Sequence, residues 1–180
     1  MSTIILFWNP DISSYSMERH HCLLADDMSE LDTFNWSVWE HKNAHEGDLF
    51  FMVRCKNRPV PGKLNRWGKQ LWEPVIDDTT GICMAGEFIS EPYCGEDWSG
   101  KGRETFYMDM SIRQASDPDK FVILKSADLL EEIPDFDWKG GHSGRLLDEE
   151  SAAKLEKLFE KSLAANADKV WSPKFKVFID

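Results

Sequence analysis

Along the chain, apolar residues cluster in short unbroken or alternating runs set off by turn-forming residues, a pattern that predicts strands more often than helices. Ile4, Ile5, Leu6, Phe7 and Trp8 form the first run, closed by Asn9-Pro10-Asp11. No polar position interrupts it, so this strand is expected to be buried on both faces. Residues 14–24 are loosely periodic and predict a short helix, followed by an acidic loop from Asp26 to Asp32. Phe34-Asn35-Trp36-Ser37-Val38-Trp39 alternates over part of its length. After the turn Glu46-Gly47-Asp48, the run Leu49-Phe50-Phe51-Met52-Val53 predicts a second buried strand. Residues 81–89 predict a third, in which Gly86 signals a bulge or a close backbone approach. Residues 105–112 predict a fourth strand and 121–124 a short fifth. Leu129-Leu130 fits a turn of helix before Pro134.

The clearest helix follows Asp148, an N-cap with Glu149 and Glu150 in the first turn, where they favour the helix dipole. Leu155, Leu158, Phe159 and Leu163 then form one apolar stripe. Residues 174–179 alternate and predict a closing edge strand. Strands dominate the middle and helices flank them. The order is not β-α-β-α, which excludes a doubly wound parallel sheet and predicts an α+β fold: a small, mainly antiparallel sheet or open barrel. At 180 residues the chain fits a single domain.

Composition narrows the picture. Apolar residues make up 42%, enough for a core and too many for a disordered tail. Eight Trp exceed what packing alone asks of a core this size. No apolar run approaches membrane-span length, and the opening segment lacks the basic flank and cleavage site of a signal peptide, so a cytoplasmic protein with no membrane partner is expected. Cys22, Cys55, Cys83 and Cys94 are scattered and read as reduced thiols.

The formal charge of −11 argues against nonspecific binding to nucleic acid, but it conceals an asymmetry. Between Arg54 and Trp72 stand Arg54, Lys56, Arg58, Lys63, Arg66 and Lys69, with no Asp or Glu. Removing those six from the 21 Lys and Arg leaves 15 against all 32 acidic residues, a balance of −17. Pro59, Pro61, Gly62 and Gly68 make this interval read mostly as loop, with Trp67 and Trp72 inside it. Basic residues interleaved with aromatics suit a phosphate backbone beside stacked bases. The alternative is that they pair with the acidic surplus elsewhere.

Motifs for catalysis are missing. Gly95 to Gly102 nearly spells a phosphate-binding loop, but Gly102 replaces the hydroxyl residue that would hold magnesium, and a β-rich run follows where a helix should open. His41 and His45 lack the H-E-x-x-H context, and His20-His21 cannot face one site from a regular element; hydrogen-bonded or exposed histidines are expected, and no metal or cofactor. Trp36, Trp98 and Trp138 lie outside clean apolar strands. Such rings either cap the core from its rim or stack on a ligand.

Taken in order, these pieces resemble the PUA-like superfamily, most closely its EVE-type and YTH-type members. The resemblance rests on Trp8-Asn9-Pro10 after the first strand, Asn35-Trp36-Ser37-Val38, Gly47-Asp48 before a hydrophobic strand, residues 81–88 (GICMAGEF), the strand at 105–110, and Ser143-Gly144-Arg145-Leu146-Leu147 before the last helix. It spans about residues 4–163. The basic interval 54–72 reads as an insertion and residues 164–180 as an extension.

The resemblance implies an open β-barrel with flanking helices and a pocket for a flipped, modified base in DNA or RNA. It implies Trp36 as an aromatic wall, Ser37 and Asn9 as polar readers, and Trp98 as the second wall, with Trp67 or Trp72 as alternatives. The six basic residues would hold the backbone. Recognition of one base is weak alone, so a fused or associated effector protein is also expected. The alternatives are a small ASCH-like hydrolase acting on a modified nucleoside, whose G-x-K-x-x-E-x-R pattern is missing here, and a protein-binding adaptor.

Overall fold

A computed structural model describes residues 1–26, 28, 34–97 and 99–173. Trp98, most of the acidic loop and the expected edge strand at 174–179 lie outside them.

The elements are β1 (Thr3–Trp8), α1 (Met17–Asp26), β2 (Phe34–Ser37), β3 (Leu49–Arg54), β4 (Lys56–Leu64), β5 (Gln70–Val75), β6 (Gly81–Phe88), β7 (Tyr93–Glu96), β8 (Glu104–Ala115), β9 (Leu124–Lys125), α2 (Ser126–Glu132), β10 (Arg145–Leu147) and α3 (Glu149–Ala165). Eight strands form one curled, half-barrel sheet in the order β10-β1-β3-β6-β8-β2, with β7 added on β8 and β9 on β6. β1 and β3 run parallel, and the other pairs are antiparallel. The fold is therefore α+β with a mixed, mainly antiparallel sheet.

The unbroken apolar run of β1 has its reason in two cores. Alternation sends Ile4, Leu6 and Trp8 to one face, where they meet Phe50, Met52, Met84 and Phe88. It sends Ile5 and Phe7 to the other, against Phe51, Val53, Leu129, Leu155 and Phe159. The second face is covered by α2 and α3. Asp148 caps α3 as its position predicts, accepting the Ser151 backbone N–H at 2.8 Å. Gly86 provides both features its position suggested: the β6–β8 register shifts there, and an added Cβ would stand 2.0 Å from the Ser111 carbonyl oxygen.

Three expectations change. The interval 54–72 is not mostly loop but a two-stranded ribbon, β4 with β5, separate from the main sheet. Pro59, Pro61 and Pro74 are tolerated because each strand of a two-stranded ribbon has a partner on one side only, so a missing N–H on the open side breaks no ladder bond. The fifth strand shrinks to β9, since Phe121 to Ile123 lie outside the strand. A short β7, not foreseen, pairs with β8 around the glycine-rich turn. Among the described residues, no helix is long and apolar enough to cross a membrane.

Candidate functional site

A cleft of about 1320 Å³ opens where the end of β1, strand β2, the β7–β8 hairpin, the root of the β4–β5 ribbon and the loop 137–143 meet. Its placement follows from the sheet order. β2 is the edge strand beyond β8, with no strand outside it among the described residues, and its Asn35, Trp36 and Ser37 border the cleft.

Trp36 sits on β2 opposite Met108. Its ring packs edge-on to Tyr15, at 6.4 Å and 84°, and tilted to Phe34, at 5.8 Å. Its indole N–H donates to Ser143 Oγ at 3.0 Å, and the same oxygen accepts the Phe7 backbone N–H at 2.9 Å. The loop carrying Ser143 is held close to the chain. Gly144 N–H donates to Ile5 O, Trp39 N–H to Ser143 O and Glu40 N–H to Gly144 O, each at 2.9 Å. Only glycine fits at 144: its φ is +92°, and a Cβ there would stand 2.4 Å from Val38 Cα.

Ser37 and Asn9 line the same cleft. Asn9 is half-buried, its Oδ1 accepting the Asp11 backbone N–H at 3.1 Å in the turn that ends β1. Positions that the sequence singled out in two separate segments, Asn9 after β1 and Trp36-Ser37 on β2, are thus brought together. Of the three residues expected as a second wall, two stand elsewhere. Trp67 and Trp72 are exposed on the β4–β5 ribbon and do not line the cleft, and Trp98 lies outside the described residues. Trp39 lines it instead, 60% exposed and stacked flat on His142 at 3.7 Å and 7°. The available signal for Trp39 was its place in the same short segment as Trp36. Trp138 is fully buried with its indole N–H donated to Ile133 O at 2.9 Å, so of the two roles open to it, it takes the core one.

The chemistry of the lining is mixed. Arg19 and Lys139 bring positive charge, Glu96 and Asp137 negative. Tyr93 donates to Asp109 at 2.6 Å and accepts from Asn35 at 3.0 Å. Burial and then the Asp109 carboxylate raise its pKa, keeping it a neutral phenol. Burial pushes the Cys55 thiol up to about 11, so this lining residue is protonated at neutral pH and a poor nucleophile. Lys101 and Glu104 are exposed on the β7–β8 hairpin and do not line the cleft.

The six basic residues divide. Arg54 is buried, donating to Thr79 O at 3.0 Å and pairing with Asp119 at 3.2 Å; the role in backbone binding is withdrawn for it, because its guanidinium is inside the fold. Lys56 pairs with Asp77 at 2.8 Å, and Arg58 with Glu73 across the ribbon. Lys63, Arg66 and Lys69 are exposed and form no ion pair among the described residues. Pairing with the acidic surplus thus accounts for Arg54, Lys56 and Arg58.

The histidines are hydrogen-bonded or stacked. His41 lies flat on Phe106 at 3.7 Å, and His45 faces Glu91 at 3.4 Å. His21 hydrogen-bonds Asp117 at 2.9 Å and stands 4.0 Å from Asp119, which already pairs with Arg54. Comparison of the chain with protein-family profiles, with curated proteins and with solved structures finds no match in any of the three.

Proposed function

We propose that this chain is a non-catalytic nucleic-acid-binding module, built on a PUA-like barrel, that reads a modified base such as a methylated one. The observation that carries the reading is convergence: Asn9, Trp36 and Ser37 line one cleft beside a further aromatic face, Trp39. A base stacked on such rings gains about 1–3 kcal/mol per ring. A methyl group buried against them adds about 0.8 kcal/mol. Unstacking the base from its strand takes back a few kcal/mol. The balance is small, so affinity rests on backbone contacts as well.

Arg19 and Lys139 at the cleft, with Lys63, Arg66 and Lys69 on the ribbon, supply the cations. The cleft volume of about 1320 Å³ exceeds the roughly 300–1,000 Å³ of ordinary small-molecule sites, which suits a base entering with its sugar and neighbours. The acidic remainder of the chain makes an associated effector protein a fitting partner. The test is fluorescence anisotropy with labelled DNA and RNA oligonucleotides that are unmodified, methylated or hydroxymethylated. Preference for one modified form, lost at least tenfold in Trp36→Ala while that variant still unfolds in one cooperative transition above the assay temperature, supports the reading. No preference across the panel overturns it.

A further inference from the structure

The β4–β5 ribbon leaves the main sheet and exposes Leu64, Trp67, Leu71 and Trp72 at 64%, 68%, 38% and 59%. Exposed apolar side chains carried together on one projecting arm mark a binding surface. Its tip is preorganised. Asn65 Oδ1 accepts the backbone N–H of both Trp67 and Lys69 at 2.9 Å, and Asn65 N–H donates to Lys69 O at 2.8 Å. The Arg66 guanidinium stands 4.1 Å from the Trp67 ring centre.

The ribbon is rooted at the cleft. Asn57 and Pro74 stand opposite each other in its register, and both line the cleft. Residues directly opposite share a face, and side chains return to that face every second residue, so the pair Pro59 and Trp72 continues the cleft wall outward. That step is about 7 Å along the strand. A nucleic-acid strand rises about 3.4 Å per stacked nucleotide, so a strand with one base in the cleft brings a neighbour about two steps away onto Trp72.

We propose that the β4–β5 ribbon is a docking arm for single-stranded nucleic acid, Trp72 and Trp67 stacking on unpaired bases while Lys63, Arg66 and Lys69 neutralise the backbone. The proposal rests on the reading that the cleft takes a base and adds the class of substrate. Indole faces need exposed base faces, which a duplex hides within its stack. A planar anionic membrane would also face the acidic remainder of the chain, whereas a strand lies along the ribbon alone, with screening limiting repulsion beyond about 8 Å at physiological salt.

The experiment uses the full chain with an unmodified labelled 12-nucleotide single strand, the same sequence as a duplex, and phosphatidylserine vesicles. The single strand binds in preference to the duplex. The plot of log K against log salt has a slope of about −3.5, because Arg19 and Lys139 at the cleft and Lys63, Arg66 and Lys69 on the ribbon contribute about 0.7 each. Trp72→Ala and Trp67→Ala each weaken binding about 5- to 150-fold without shifting the melt. The triple variant K63Q/R66Q/K69Q reduces the slope to about −1.4, the share of the two cleft cations, and an unchanged slope overturns the proposal. Duplex binding equal to or tighter than single-strand binding, vesicle binding without strand binding, or unchanged affinity in Trp72→Ala overturns the proposal. Strand binding indifferent to base modification removes the base-reading function and leaves the arm. A modified-base preference together with unchanged absolute affinity in Trp72→Ala does the reverse.

Discussion

Ser143 ties the cleft to the core, and its replacement by alanine has a calculable effect. One oxygen, Ser143 Oγ, accepts two donors: the Phe7 backbone N–H at 2.9 Å and the Trp36 indole N–H at 3.0 Å. Phe7 is buried, and β10 pairs with β1 only at Thr3, Ile4 and Ile5, so no strand carbonyl replaces the hydroxyl at Phe7. A buried donor left without a partner costs about 1–3 kcal/mol. The indole N–H borders the open cleft and can turn to water, so its loss costs about 0.5–1.5 kcal/mol. Ser143→Ala is therefore expected to destabilise the fold by about 2–4 kcal/mol, a large part of the roughly 5–15 kcal/mol that holds a domain together.

Urea unfolding monitored by far-UV circular dichroism measures this directly. The midpoint should fall with an unchanged m-value. A double-mutant cycle with Trp36→Phe should return a coupling of about 0.5–1.5 kcal/mol, the share of the indole bond alone. A destabilisation below about 0.5 kcal/mol would show that the hydroxyl does not hold the two segments together, and the reasoning about how Trp36 is oriented would fail.

Gly144→Ala should be at least as damaging, about 3 kcal/mol or more in the same urea assay, because a left-handed φ of +92° is combined with a Cβ 2.4 Å from Val38 Cα, a backbone atom that cannot turn aside. Trp138→Ala should lose about 3–5 kcal/mol by opening a cavity under α2, and a smaller loss would place the ring outside the core. Stability should fall as pH drops below about 6.5, because His20 is buried with Nε2–H donated to Ser116 O and Nδ1 accepting from the Tyr15 hydroxyl, both at 2.8 Å. Burial lowers its pKa, the Ser116 bond opposing, so the unfolded chain takes up the proton first; the contribution is complete above the ordinary imidazole pKa and is lost as pH falls towards the folded value. His20→Gln should flatten that limb of a urea-midpoint-against-pH curve, and an unchanged limb would contradict the assignment.

The parts of the fold that bury apolar runs were legible. β1, β3, β6 and β8 announce themselves because their residues are buried on one or both faces, and α3 because Asp148 and its stripe are local signals. The β4–β5 ribbon was hidden because it has no buried face: its residues are exposed or half-buried, so hydrophobic alternation has nothing to report, and its prolines and glycines read as loop. The fate of Arg54 was equally hidden, since its partner Asp119 lies 65 residues on. In the cleft, the gathering of Asn9, Trp36 and Ser37 followed the order of segments. The pairing of Trp39 with His142 depends on how the 137–143 loop lies over β2, which no spacing along the chain encodes.

Nuclear magnetic resonance of the Trp36 side chain tests the central claim most directly. In a ¹⁵N-labelled sample, the Trp36 indole N–H resonance is identified by its absence in Trp36→Phe. It should shift on titration with the oligonucleotide carrying the preferred modified base, and stay in place with the unmodified oligonucleotide at the same concentration. Saturable binding of the modified oligonucleotide with that resonance unmoved would contradict the account, because the base would then lie somewhere other than this cleft.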